Sequence, residues 1–143
     1  MATIRVPPRS AQPRALQYRD AMKFQLDAPG NVNLVRGYAP GQLRIGETTH
    51  TAGVILTATA LIEPWRPATA QEIGADDLAP LLELEPEIVL LGTGQRQQFP
   101  DPQLLQAFYA RRIGVEVMDT SAACRTFNLL VAEGRPVAAA LIV

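Results

Sequence analysis

The sequence predicts an α/β fold with parallel strands connected by helices, and three observations lead to that prediction. The length of 143 residues corresponds to about one domain of ~150 residues. Apolar residues make up 48% of the chain, which is enough for the buried core of a single domain. From residue 87 to residue 143, apolar strand-like runs alternate with helical patterns and short loops. This order requires parallel pairing with right-handed crossovers.

In the first half, short β-type runs alternate with turns. Strands are predicted over residues 34–38, 42–46 and 53–61, because β-branched and aromatic residues suit a pleated surface. The pair Pro40-Gly41 forms a turn after the first of them. A hairpin through the loop 47–50 is the simplest connection between the other two. A further strand is predicted over residues 22–26, and the segment 64–75 is predicted to be irregular.

In the second half, the segments between the predicted strands have apolar residues at helical spacing. Strands are predicted over residues 87–91, 115–118 and 136–143, the first and last being apolar throughout, as in strands buried on both faces. A short helix capped by Asp76 and Asp77 precedes the first strand. A second helix starts at Asp101, an N-cap followed by Pro102 at the first helical position, and stops at Gly114.

The third helix is capped by Asp119 or Thr120 and ends at Gly134. Its apolar residues recur at spacings of three and four, the period of one helix face, and they are Ala123, Phe127, Leu130 and Val131.

The charge is unevenly distributed. Residues 1–19 carry Arg5, Arg9, Arg14 and Arg19 and no acidic residue, whereas the whole chain has a net charge of −1. An arginine-rich start resembles an organelle presequence, but three prolines within its first 13 residues prevent the required amphipathic helix. We therefore predict a flexible arm over residues 1–15, followed by a single domain over residues 16–143.

Composition excludes several classes of function. One cysteine and one histidine exclude a disulfide framework and most metal sites, and no phosphate-binding G-K-[ST] motif occurs. The longest apolar run spans residues 137–143, far short of the ~20 residues that cross a membrane. A pairing of Cys124 with His50 is a weak alternative, because a cysteine on an apolar helix face is usually inert. We expect no catalytic residue, metal or cofactor, and no binding of nucleic acid.

Two loops form the candidate site. Each follows a predicted parallel strand, and the carboxyl ends of such strands share one side of a sheet. Glycines that allow close approach, free N–H groups at a helix start and an arginine suit a small anion. The candidate residues are Gly92, Thr93, Gly94, Gln95, Thr120, Ser121, Arg125 and Asn128. In the alternative interpretation, the glycines only form a tight strand exit and Thr120 only caps its helix.

Residues 88–94, Pro100, residues 114–128 and residues 133–141 together resemble the Mth-type domain of unknown function. Its relatives include mitochondrial complex I assembly factor 3 and the adipogenesis-associated Mth-domain proteins. The resemblance implies a three-layer α/β fold, with a mixed central sheet, helices on one face and additional β structure on the other. It supplies no agreed catalytic residues, although Gly92, Gly94, Thr120, Arg125 and Asn128 match recurrent motif positions.

The resemblance also implies a function. We expect a non-catalytic interaction or assembly protein with a protein partner, such as a subunit of a membrane complex. The alternative is a domain that binds a small molecule or anion through the loops 92–98 and 118–125, including an uncharacterised enzyme. Without a credible presequence, a bacterial cytoplasmic protein is expected.

Overall fold

The computed structural model describes residues 3–5 and 32–143, which form two β-sheets and three α-helices. The strands are β1 (Thr3–Arg5), β2 (Val35–Ala39), β3 (Gln42–Ile45), β4 (Thr48–His50), β5 (Gly53–Thr57), β6 (Leu61–Trp65), β7 (Ile88–Thr93), β8 (Gly114–Met118) and β9 (Val137–Ile142). The helices are α1 (Ala75–Glu83), α2 (Gln106–Ala110) and α3 (Thr120–Ala132), with 3₁₀ turns at Ala70–Glu72 and Pro102–Leu105.

The large sheet is mixed, and β9 lies inside it. The strand order is β1-β6-β5-β9-β7-β8. Strand β9 pairs with β5 in antiparallel and with β7 in parallel orientation, and β7 pairs with β8 in parallel orientation. All six residues of β9 are buried, as expected for a strand covered on both faces. The parallel pairing predicted for the second half is confirmed.

The two faces of the large sheet are covered by different layers. One face packs against α1 and α2 through Leu78, Leu81 and Phe108. The other packs against α3 and against the small antiparallel sheet β2-β3-β4, which contributes Leu43 and Ile45. The three-layer α/β architecture with additional β structure opposite helices is confirmed. It differs in one respect from the expected arrangement, because α3 lies on the same face as the small sheet.

The helix starts follow local hydrogen bonding. Asp119 caps α3 by accepting the N–H of Ala122 at 2.8 Å, and Asp101 accepts the N–H of Gln103 at 3.0 Å. Both predicted caps are confirmed. Helix α1 begins earlier than predicted, since its N-cap is Gly74, and Asp77 accepts the Gly74 N–H at 2.8 Å from within the first turn.

The first half departs from the prediction in two places. The predicted strand 53–61 is divided into β5 and β6, because the Thr57 hydroxyl accepts the N–H of Ala60 at 2.9 Å and forms a turn. Strand β6 then extends into the segment predicted to be irregular and includes Pro64, which follows a cis peptide bond. The predicted hairpin loop 47–50 contains β4, which pairs with β3 after a turn at Gly46, where φ is +55°.

The N-terminal predictions lie mostly outside the described residues. Thr3–Arg5 form β1 and pair with β6 in antiparallel orientation, although they belong to the segment predicted as a flexible arm. Threonine and isoleucine favour a strand here. The rest of the arm prediction, the domain start at residue 16 and the strand over 22–26 lie outside the described residues.

Candidate functional site

The two predicted loops meet where β7 and β9 end, at the carboxyl ends of the parallel strands. The N–H of Gly94 donates to Thr120 Oγ1 at 2.7 Å, and the N–H of Thr120 donates to the Gly94 carbonyl at 2.8 Å. The Thr120 hydroxyl also donates to the Ile142 carbonyl at 2.7 Å. Thr120 is fully buried. One hydroxyl therefore connects the carboxyl ends of β7 and β9 to the start of α3.

Gly92 allows the close approach of these segments. A Cβ atom at Gly92 would lie 2.9 Å from Leu141 Cδ2 and 3.0 Å from Thr120 Oγ1, so that these closely packed neighbours would have to shift. Gly94 has a φ of +91°, which favours glycine. Both glycines are therefore explained by the tight exit from β7, as in the alternative interpretation in which they bind no ligand.

The loop after β7 is folded around Thr93. The Thr93 hydroxyl lies 2.6 Å from the Arg96 carbonyl and 3.2 Å from the Met118 carbonyl, and it accepts the N–H of Gln98 at 3.0 Å. Gln95 and Arg96 are exposed. Since a side-chain hydroxyl organises the turn, the loop holds a defined shape beside β8.

The other predicted site residues bond within the fold. Arg125 donates to Ser121 Oγ at 2.7 Å, one turn away on α3. Asn128 Oδ1 accepts the N–H of Val35 at 2.9 Å, and its Nδ2 donates to the Val35 carbonyl at 2.8 Å. Two of the three N–H groups available to an anion at the start of α3, those of Thr120 and Ala122, are also bonded within the protein.

A cavity of about 440 Å³ opens beside the loop after β7. It lies between this loop, the β2–β3 hairpin and the ends of neighbouring segments, and its described lining is Tyr38, Pro40, Gly41, Ala68, Thr69, Thr93, Gly94, Gln95, Arg96, Gln98, Ile142 and Val143. Three residues of the predicted site, Thr93, Gly94 and Gln95, belong to this lining. The described lining does not include residues of α3. Its position relative to the β2–β3 hairpin depends on the topology and has no signal in the local sequence.

Several residues of the described lining are polar, and they include one arginine and one tyrosine. Among its described lining residues, Arg96 is the only charged side chain, and it forms no ion pair within residues 32–143. The Tyr38 hydroxyl is buried and has no hydrogen-bond partner in the same range. Burial raises the pKa of Tyr38, with smaller contributions from Cys124 and Asp119. The phenol is therefore a protonated donor at neutral pH.

The single histidine and cysteine are placed separately. His50 is 7% exposed, and its Nδ1 lies 2.6 Å from Glu63 Oε2, which connects the small sheet to the large one. Its Nε2 is buried and has no partner within the described part of the chain. Burial raises the pKa of Cys124 to about 12, so that the sulfur is a thiol at neutral pH and not a nucleophilic thiolate.

Neither a metal centre nor a membrane span is present in the part of the chain that the structure describes. Residues 32–143 contain no cluster of three or more histidine, cysteine or acidic side chains placed to hold a metal ion. Among the described helices, none combines the length and the apolar character needed to cross a membrane.

Comparison with known proteins identifies the family. Residues 35–142 match the family of proteins of unknown function DUF498/DUF598. Over 80 residues, the chain is 48% identical to human NADH dehydrogenase [ubiquinone] 1 alpha subcomplex assembly factor 3, covering 54% of this chain and 44% of that protein. It is 36% identical over 101 residues to the 13 kDa major membrane protein of Francisella tularensis, covering 70% of this chain and 80% of that protein.

A solved structure shares the fold. A protein of Bordetella pertussis described as a Mth938-like domain superimposes with a TM-score of 0.72 at 28% identity, covering 84% of this chain and 91% of that one. The chain spans less than half of the length of the human relative. With the family match over most of its length, the chain belongs to the DUF498/DUF598 family and has the Mth938-like fold.

Proposed function

We propose that this protein is a non-catalytic accessory protein that binds a subunit of a membrane complex during assembly. The observation that carries the proposal is the 48% identity to human complex I assembly factor 3 over 80 residues. Those residues cover 44% of that relative, so an assembly role for this chain is part of the proposal. We further propose that the protein acts in the cytoplasm of a bacterium.

The chemistry of the loops supports a binding role over catalysis. The Thr120 hydroxyl, the Gly94 N–H and the Asn128 amide each bond to another part of the fold, as expected of groups that hold a scaffold together. The Cys124 thiol is protonated and buried. Large apolar side chains are nevertheless exposed at Phe99, Tyr109 and Leu129, and exposed aromatic residues are common anchors at protein interfaces.

Co-purification at native expression level tests this proposal. A tagged wild-type chain should retain a stoichiometric protein partner through native gel electrophoresis, and cell fractionation should recover both in the cytoplasm or at the cytoplasmic face of the membrane. A deletion strain should accumulate incomplete forms of the partner's complex, and the wild-type gene should restore the complete form. Recovery of a free chain only, together with a normal complex in the deletion strain, would contradict the proposal.

A second candidate function is binding of a small anion in the cavity beside the loop after β7. It is favoured by Arg96, an exposed cation of the described lining that has no ion pair within residues 32–143. The cavity of about 440 Å³ has the size of small-molecule sites, which span ~300–1,000 Å³. In this form of the alternative, Arg96 replaces Arg125 as the cation that contacts the anion.

Thermal melting with inorganic phosphate or succinate tests the anion site. A ligand at about 100 times its Kd adds about 2.7 kcal/mol to the free energy of unfolding. Arg96→Gln should remove the shift in melting temperature, and Arg125→Gln is the matched control, because Arg125 bonds Ser121 and is not among the described lining residues. A shift that persists in Arg96→Gln, or the absence of any shift, would argue against this site.

A further inference from the structure

We propose that β8 is a docking edge, at which an extended acidic segment of the partner protein adds as a further strand. The inference rests on the proposed function and specifies which surface and which kind of partner segment are used. Strand β8 is the last strand of the large sheet. Strand addition to an exposed edge is a common mode of peptide recognition.

The hydrogen bonding of β8 determines which of its backbone groups face outward. The N–H of Gly114 donates to the Glu87 carbonyl at 3.1 Å, in a parallel register that pairs Gly114 with Ile88. In a parallel ladder, alternate residues direct both backbone groups toward the same neighbour. Gly114, Glu116 and Met118 therefore face β7, and the backbone groups of Val115 and Val117 face away from it.

Within residues 32–143, this outward edge is largely unpaired. One outward carbonyl, that of Val117, accepts a hydrogen bond from Gln97 Nε2 at 2.9 Å. The N–H and carbonyl of Val115 and the N–H of Val117 have no hydrogen-bond partner within residues 32–143. Both valine side chains are half-buried against the layer of α1 and α2, so the strand is anchored while its edge remains available. Paired donors and acceptors of this kind can bind one more strand.

Charge at both ends of β8 indicates the chemistry of the partner. Arg111 and Arg112 precede the strand, and Arg96 lies near its other end, where the Thr93 hydroxyl contacts the carbonyls of both Arg96 and Met118. These three arginines are exposed and form no ion pair within the described part of the chain. The acidic residues of this segment are Glu116 on the strand and Asp119 directly after it, whose carboxylate accepts the N–H of Ala122 at the start of α3. An added strand with acidic residues near both of its ends complements this pattern.

The same charges disfavour two other occupants. Residues 1–19 of this chain carry four arginines and no acidic residue, so they share the sign of the edge. Antiparallel pairing of β8 with β8 of a second copy would place Arg111 and Arg112 of one copy beside Arg96 of the other. Like charges in such positions oppose association.

Peptide binding to the full chain tests the docking edge. The probe is a fluorescein-labelled peptide that alternates valine with glutamate, and the comparison is the same peptide with lysine in place of glutamate. We expect the acidic peptide to bind, and its affinity to fall as salt rises from about 50 to about 200 mM. We expect the lysine peptide not to bind.

Val115→Pro separates edge pairing from folding. It removes an outward N–H and leaves the ladder to β7 intact, a position at which proline is tolerated in edge strands. We expect about tenfold weaker binding of the acidic peptide by Val115→Pro, because one inter-strand hydrogen bond is lost and the proline ring blocks the edge. Val115→Thr is the control, since it keeps the N–H and a β-branched side chain. If Val115→Pro fails to fold, the double variant Arg96→Glu, Arg111→Glu should reverse the preference between the peptides.

Several results would overturn the docking edge. These are failure of the acidic peptide to bind, equal binding of both peptides, or equal affinity of Val115→Pro and wild type for the acidic peptide. Self-association of the chain in sedimentation experiments, abolished by Val115→Pro, would also overturn it.

The co-purification experiment separates this inference from the proposed function. If the folded Val115→Pro chain retains the cellular partner as well as wild type does, the edge is wrong and the function stands. If wild type retains no partner although the acidic peptide binds, the function is wrong and the edge stands.

Discussion

The Thr120 hydroxyl connects segments that lie 26 and 22 residues away in sequence, at Gly94 and Ile142. Because Thr120 is fully buried, no water is available to replace these hydrogen bonds. Thr120→Val keeps the shape of the side chain and leaves the Gly94 N–H and the Ile142 carbonyl unpaired. A buried unsatisfied group costs about 1–3 kcal/mol, and we expect Thr120→Val to lower the free energy of unfolding by about 2–4 kcal/mol in urea denaturation.

Thr120→Ser is the matched control for this prediction. It keeps the hydroxyl and removes one methyl group, which costs about 1 kcal/mol in a buried site. If serine and valine destabilise the protein equally, the methyl group and not the hydrogen bonding determines the stability of the junction.

Cys124 predicts a pH dependence of stability. Burial raises its pKa to about 12 in the folded protein, whereas a cysteine in an unfolded chain has a pKa of about 8.5. Above pH ~8.5 the unfolded chain therefore loses a proton that the folded chain retains. The contribution of Cys124 is complete below that pH and declines by up to about 1.4 kcal/mol per pH unit until the folded thiol ionises.

Denaturation at a series of pH values measures this effect. Cys124→Ala lacks the ionisable thiol, so its stability should fall less steeply than that of wild type between pH ~9 and ~11. Alkaline effects of lysine and tyrosine are common to both proteins and cancel in the comparison. Parallel pH profiles would mean that the thiol is solvated in the folded protein.

Helix α3 is attached to strand β2 by the side-chain amide of Asn128, which pairs with the backbone of β2. The Asn128 amide pairs with both the N–H and the carbonyl of Val35, 93 residues away. Asn128→Asp keeps the acceptor and removes the donor, so that an oxygen of the carboxyl group faces the Val35 carbonyl. We expect a loss of about 1–3 kcal/mol in the free energy of unfolding near neutral pH, measured in urea.

Leu129→Gln is the control for Asn128→Asp, because Leu129 is the next residue on α3 and is 61% exposed. Substitutions at such exposed positions usually change stability by less than about 0.5 kcal/mol. If Asn128→Asp behaves like Leu129→Gln, the contact with Val35 contributes little to the attachment of the small sheet.

Elements with local signals could be predicted from the sequence, and elements that depend on distant contacts could not. The caps at Asp101 and Asp119 bond within three residues of themselves, which is why those helix starts were predictable. The division between β5 and β6 depends on the Thr57 hydroxyl, and threonine is also a common strand residue. The turn therefore resembles a continuous strand in the sequence.

The candidate site divides in the same way. The meeting of the loops at Gly94 and Thr120 follows from a general property of parallel strands, whose carboxyl ends lie on the same side of a sheet. The engagement of Asn128 by Val35 and the position of Tyr38 beside the cavity depend on where the small sheet packs. No local pattern encodes that packing, so the sequence could not separate a structural asparagine from one that binds a ligand.

At the scale of the whole molecule, the alanines of β9 allow both covering layers to approach the large sheet closely. Residues 138–140 are alanines with no exposed surface, and they alternate between the two apolar cores. Small side chains in the central strand leave room for Phe127 on one face and Phe108 on the other. The result is a strand that cannot open unless both layers separate, whereas the outer strand β8, beyond β7, is half exposed.

Amide hydrogen exchange should reveal this gradient from the centre of the sheet to its edge. Amides of Ala139 and Ala140 in β9 should exchange only through global unfolding, because β9 is paired on both sides and fully buried. The outward N–H groups of Val115 and Val117 should exchange fastest among the amides of β7, β8 and β9. Glu116 is an internal control on the same strand, since its N–H faces β7 and should exchange more slowly than those of its neighbours. Protection of Val115 equal to that of Glu116 would mean that the edge of β8 is already covered, and strand addition there would then be excluded.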